Sequence, residues 1–350
     1  MSPRIEVDLD AFRHNVRTLA AIAAPAATML AVKADGYGHG LEQIARAGLE
    51  AGATSLAVLE IDVALSLRRM GVDVPLFAWL HGDHAAFGLA VEADVDLGVS
   101  SLRELTRIAD AAAAVGRRAA VHLKIDTGLH RNGASPDEWP ALVAEALRLA
   151  AAGSVRIAGL WSHLADASPA DDAVALGEFR AAVDIAGRLG VPTEGPDRPL
   201  LHLAASSAGI RMPEARFDLV RFGIAAYGSS PFDDQPAREL GMIAPMTVYA
   251  SVIAARDGRA VLDLGSADGI PPHAPGAHVL LDGRRVAVVA VGIDTMEVDA
   301  DVPVGAEAIV FGPGDRGEPT AEEWAAWGGT IGDEMLVRAS TRTPRTYLNG

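Results

Sequence analysis

The chain has 350 residues, half of them hydrophobic, which is length for one barrel of roughly 200 to 250 residues and a second domain. Its net charge of −16 opposes partnership with nucleic acid or an anionic membrane, because both repel a negative surface. The absence of cysteine excludes disulfides, zinc-thiolate sites and a cysteine nucleophile, and leaves a small molecule as the expected partner.

The opening Met-Ser-Pro-Arg-Ile-Glu-Val-Asp is too charged for a signal peptide, and Ile5 to Asp8 reads as a short β segment. An amphipathic helix follows from Leu9 to about Ile22, with Phe12, Val16, Leu19 and Ile22 on one face. The longest nearly apolar stretch, Leu19 to Val32, contains Pro25 and is too short to span a bilayer, so a cytoplasmic protein is expected. Between residues 27 and 222, β-like runs alternate with alanine-rich helical stretches. The runs are Ala27 to Val32, Ser55 to Leu59, Pro75 to Trp79, Val95 to Val99, Ala119 to Ile125, Val155 to Trp161, Pro199 to Leu203 and Phe217 to Phe222. Eight such units predict an α/β fold with a closed (β/α)8 TIM barrel.

Beyond residue 240 the character changes. Met246 to Ala255, Arg259 to Leu264, His278 to Leu281, Arg285 to Val291 and Ala308 to Phe311 are short β runs separated by Gly, Pro and Asp clusters. The expected organisation is a barrel over residues 1–232 and a β-rich domain over 233–350, with residues 1–8 a strand that joins the second domain.

Active sites of such barrels lie at the carboxyl ends of the strands. Lys33 ends the first run and is followed by Ala-Asp-Gly-Tyr-Gly-His-Gly, so a primary amine stands beside a turn with room for a bulky group. A lysine beside a glycine-rich turn is also a common structural arrangement. Other strand ends carry His122, Lys124 and Asp126, then Trp161-Ser162-His163, then His202 with Ser206, then Arg221 with Gly223 and Ile224. Together they supply amines, guanidiniums, imidazoles and a glycine-linked anion site. Asp126 reads better as a turn cap than as a chemical group. A metal-dependent barrel hydrolase, with a divalent metal on His122, His163, His202 and a carbamylated Lys124, is an alternative, but it leaves Lys33, Arg221 and the anion site without a purpose.

Five stretches carry a resemblance. They are Ala31-Val-Lys-Ala-Asp-Gly-Tyr-Gly38, Leu123-Lys-Ile-Asp-Thr-Gly-Leu-His-Arg131, Trp161-Ser-His163, Val220-Arg-Phe-Gly-Ile224 with Tyr227-Gly228, and Arg342-Thr-Pro-Arg345-Thr-Tyr347. In this order and spacing the chain resembles the alanine racemases, fold-type III pyridoxal 5'-phosphate (PLP) enzymes that work as cytoplasmic homodimers with sites shared across subunits. The resemblance implies that Lys33 holds PLP as an internal aldimine and acts as the base on one face. It implies phosphate binding by Tyr37, Ser206 and the N–H groups of Gly223 and Ile224. Arg221 would face the pyridine nitrogen with His202 orienting it, and His163 would lie against the cofactor ring. Arg131 would contact the phenolic oxygen and the substrate carboxylate, steadied by Lys124, which is carbamylated in many relatives. Ile293 and Asp294 stand where the family has Met-Asp.

One departure bears on the reaction. The family's second base is a tyrosine in Gly-Tyr-Ala-Asp-Gly, and here the stretch is Gly265-Ser266-Ala267-Asp268-Gly269. A serine hydroxyl is too weak an acid to replace a tuned phenol. Asp333 stands where a phosphate-side tyrosine is expected, Ala205 replaces an asparagine, and Pro271-Pro272 stands near a usual arginine. The expectation is a PLP-dependent isomerase, weak or re-specialised, with non-inverting α-carbon chemistry or a catalytically silent PLP-binding regulator as alternatives.

Overall fold

A computed structural model describes residues 2–339 and 342–350. Strand β1 (Arg4–Asp8) leads into a helix, Leu9–Ala23, whose Phe12, Val16 and Leu19 are buried. Eight parallel strands follow: β2 (Ala27–Ala31), β3 (Ser55–Val58), β4 (Leu76–Ala78), β5 (Val95–Val99), β6 (Ala119–Lys124), β7 (Val155–Trp161), β8 (Leu200–His202) and β9 (Leu219–Phe222). They run in the order β8-β7-β6-β5-β4-β3-β2-β9. Backbone bonds from Asp218 N–H to Leu201 O (3.1 Å) and from Arg221 N–H to Ala204 O (3.1 Å) tie the two ends together. This is the closed barrel that the alternation predicts. Its interior packs Met29, Ala57, Phe77, Trp161 and Leu219.

The second sheet is mostly antiparallel and contains β10 (Met246–Arg256), β11 (Arg259–Leu262), β12 (His278–Leu281), β13 (Arg284–Val291), β14 (Met296–Val298), β15 (Glu307–Phe311) and β16 (Arg345–Leu348). β1 is part of it, antiparallel to β10 and parallel to β16. β10 and β11 form a hairpin closed by the two-residue turn Asp257-Gly258, a sequence suited to the twist of paired strands. Short helices, Ala321–Gly328 and Gly332–Ala339, complete this part.

The chain forms two compact units, one of Met1–Thr18, Ala34–Ala51 and Ile224–Gly350, the other of Leu19–Lys33 and Gly52–Gly223. The boundaries therefore fall at four places in the sequence; the expected division is a cut after residue 232, with residues 1–8 joining the second domain. The physical cause for the first of these segments is the pairing of β1 with β10 and β16. For residues 34–51 it includes Arg345, which binds Asp35 and the Gly38 carbonyl. Among the described residues no helix is long and apolar enough to cross a membrane.

Candidate active site

In the barrel unit, alternation along β6 sends His122 and Lys124 to the same face, and both are buried. Lys124 donates to Asn132 Oδ1, and its ammonium lies 4.7 Å from the centre of the Trp161 ring. Burial, with Arg131 and Arg221 nearby, brings its pKa down to about 7. His163 is held well below the usual histidine range by burial and by the charges of Arg221, Arg131, Lys124 and Lys33. Basic side chains thus surround His163, Arg221 in direct contact with it, in a chain that is acidic overall. Such a cluster suits a ligand with several negative charges.

Arg221 is buried and held from several sides. Its Nη2 lies 2.9 Å from Ser162 O, 2.9 Å from Leu203 O and 3.0 Å from His163 Nδ1, and its Nη1 lies 3.1 Å from His202 Nδ1. Its guanidinium can only donate, so both imidazoles accept from it. Ser206 Oγ accepts from Gly223 N–H at 3.1 Å, which leaves the hydroxyl hydrogen available to a bound anion. Asp126 accepts from the N–H groups of Gly128 and His130, as a turn cap does. His122 and His202 hydrogen-bond each other at 2.8 Å, and their remaining nitrogens meet Asp96 and Arg221, so both rings have partners within the protein.

In the other unit the residues after Lys33 form one left-handed turn. Ala34, Asp35, Gly36 and Tyr37 have φ of 51, 56, 62 and 48°. L-residues resist this conformation by roughly 1–2 kcal/mol each, so surrounding bonds must impose it. Gly38 N–H donates to Ala34 O, Gly40 N–H to Asp35 O, and Leu41 N–H to the Asp35 carboxylate. The Tyr37 ring is buried 4.5 Å from that of Tyr227, and burial beside Asp333 raises its hydroxyl pKa above the ordinary tyrosine value.

Ser266 lies in the same unit on a 3-10 turn, Ser266–Asp268. Its N–H donates to Gly292 O and that of Ala267 to Ile293 O, both at 2.9 Å, while Asp268 accepts from Gly265 N–H. Ile293 is 71% exposed, and Asp294 pairs with Arg342 at 3.2 Å. Ser266, Ile293 and Asp294 are thereby gathered on one pinned loop system.

The profile described as alanine racemase, N-terminal domain, matches residues 7–231, and that of the C-terminal domain matches 249–347. The chain belongs to the alanine racemase family. Alanine racemase of Frankia casuarinae is 43% identical over 98% of this chain and 95% of its own length. That of Mycobacterium tuberculosis is 42% identical over 97% and 94%. Among solved structures, alanine racemase from Streptomyces lavendulae superposes with a TM-score of 0.95 at 36% identity, covering 100% of this chain and 98% of that one. The enzyme from Streptomyces coelicolor gives 0.94 at 40%, with the same coverage.

Set against that alanine racemase frame, the four tyrosines of the chain are all engaged elsewhere. Tyr37 and Tyr227 pack ring against ring at a tilt of 36°, and Tyr347 packs against Gly40. Tyr249 is flanked by the Arg4 guanidinium, 4.1 Å from its ring centre, and by Arg316, whose Nη2 donates to its hydroxyl at 3.0 Å. The family resemblance implied His202 beside Arg221, as the geometry has it at 3.1 Å, but not the continuation to His122 and Asp96. The signal for it was the alternation of His122 with Lys124 on β6.

Proposed function

We propose that the chain is a PLP-dependent amino-acid isomerase that interconverts L- and D-alanine weakly and works as a homodimer. The observation that carries this is the barrel mouth itself, where buried Arg221 is hydrogen-bonded to His163, His202 and two backbone carbonyls, with buried Lys124 over Trp161 nearby. The donor set fits the cofactor. Ser206, whose oxygen takes the Gly223 N–H and whose hydrogen is left for an anion, would donate to its phosphate, Lys33 would hold its aldehyde carbon, and His163 would lie against its ring. PLP when bound supplies an electron sink that acidifies the substrate Cα–H.

The chain's own residues set the rest. Arg221, a fixed donor locked by its four partners, would leave a pyridine nitrogen opposite it as a bare acceptor, which weakens the sink and restrains side reactions. Arg131 is exposed and would take the substrate carboxylate. Lys124, whose amine is partly neutral near pH 7, is suited to carbamylation and would then steady Arg131 as an anion. Lys33 would take and return the α-proton on one face. On the other face this family places a phenol from the partner subunit, and the corresponding position here is Ser266.

That substitution also favours a second reading, in which Lys33 exchanges the α-proton with solvent and the configuration is largely retained. Deuterium uptake by L-alanine beside formation of D-alanine separates the two. Lys33→Ala is expected to abolish the cofactor's protein-bound visible absorbance and all exchange; survival of both would contradict the assignment.

A further inference from the structure

Behind Arg221 a hydrogen-bonded line crosses the barrel. Arg221 Nη1 meets His202 Nδ1 at 3.1 Å, His202 Nε2 meets His122 Nδ1 at 2.8 Å, and His122 Nε2 meets Asp96 Oδ2 at 3.2 Å. Only one proton arrangement satisfies every contact. The guanidinium has no lone pair to offer, so His202 Nδ1 accepts and its proton sits on Nε2. His122 Nδ1 must accept that proton's bond, so its own proton sits on Nε2 and points at the carboxylate. A second proton on either ring would set N–H against N–H.

The barrel is shaped for this line. β6 and β7 shift register between Val121 and His122, which leaves Ala158 as an extra residue and brings Gly159 opposite His122. A Cβ at Gly159 would overlap the His122 ring, so the strand admits the imidazole only because a glycine stands there. Phe77 packs 4.7 Å from the His122 ring and edge-on to that of His202, and Trp161 stacks on His202 at 6° between planes. Asp96, at the far end, is 22% exposed and lies 3.9 Å from Arg156.

We propose that Asp96 and His122 are positioning residues for Arg221: the carboxylate fixes the tautomer of both imidazoles, so that His202 always presents a lone pair to the guanidinium. The consequence for turnover rests on the placement of Arg221 against the cofactor proposed above, whereas the tautomers do not. Removing supporting partners of this kind typically costs about 10–100-fold.

The test uses holo-protein with 15N-labelled histidine. In the wild type, NMR is expected to show His122 and His202 neutral, each protonated on Nε2. Asp96→Asn keeps the shape but lets an amide donate to His122, so mixed tautomers are expected at both rings. A displaced visible band of the bound cofactor and a kcat reduced about 10–100-fold, with KM little changed, should accompany them. Asp96→Glu should restore the wild-type pattern. A proton on Nδ1 of either ring in the wild type overturns the proposal, as does an Asp96→Asn protein with unchanged tautomers, band and kcat. If the protein binds no PLP, the functional reading fails while the tautomer measurement still decides the line.

Discussion

Lys124 carries the sharpest single-residue chemistry. A fully buried amine held near pKa 7 is half neutral at physiological pH, and only the neutral amine attacks carbon dioxide. With 13C-bicarbonate, a carbamate resonance is expected that grows as pH rises through 7 and is missing in Lys124→Arg; its absence from the wild type would leave Lys124 as an amine bonded to Asn132. Most residues of the barrel mouth were legible because each sits in a local motif at a strand end. The alternation of His122 with Lys124 marked the inward face of β6, but not the partners of His122: Asp96 lies 26 residues away on the neighbouring strand β5, and sequence separation of that kind leaves no local pattern.

At the scale of elements, the left-handed turn after Lys33 depends on its surroundings. Gly40 has φ of 99°, and a Cβ there would overlap the Tyr347 hydroxyl. Gly40→Ala is therefore expected to destabilise the protein by roughly 1–3 kcal/mol, read as a lower urea midpoint, by displacing β16 from the turn. An unchanged midpoint would show that Tyr347 moves aside at no cost. The glycine cluster announced a turn in the sequence, but not its hand, since Ala34, Asp35 and Tyr37 carry no intrinsic preference for it. The longer strands were read from apolar runs and alternation. β14 and β16 were missed because three residues, Met-Glu-Val, and the polar Arg-Thr-Tyr-Leu owe their extended form to the neighbours β11, β13 and β1.

For the whole molecule, buried neutral histidines make stability depend on acidity. Burial brings His39 down to about 4, and His163 and His202 also lie well below the ordinary value. Between pH 6.5 and 4 the unfolded chain binds protons that the folded chain does not, so stability is lost as pH falls through that window. His39 alone contributes about 1.4 kcal/mol per pH unit there, and His163 and His202 act in the same direction. Urea midpoints should fall from pH 6.5 to 4.5, and less steeply in His39→Asn, whose amide can keep the bonds to the Gly36 and Tyr37 carbonyls. A flat profile would contradict this. The C-terminal sheet also exposes apolar side chains: Ile253 and Val289, each the unpaired residue of a β-bulge, are 49% and 46% exposed. Sedimentation of the holo-protein should show the homodimer proposed above; a monomer would contradict it.

On the function proposed above, Lys33 keeps its one-face chemistry and Ser266 supplies no competent base on the other face. The most direct measurement compares the rate of L- to D-alanine conversion by wild-type holo-protein with that of Ser266→Tyr. A tyrosine there is expected to raise inversion by roughly 100 to 10,000-fold while solvent exchange at the α-carbon changes far less. A wild type that already inverts alanine as fast as Ser266→Tyr would contradict the account.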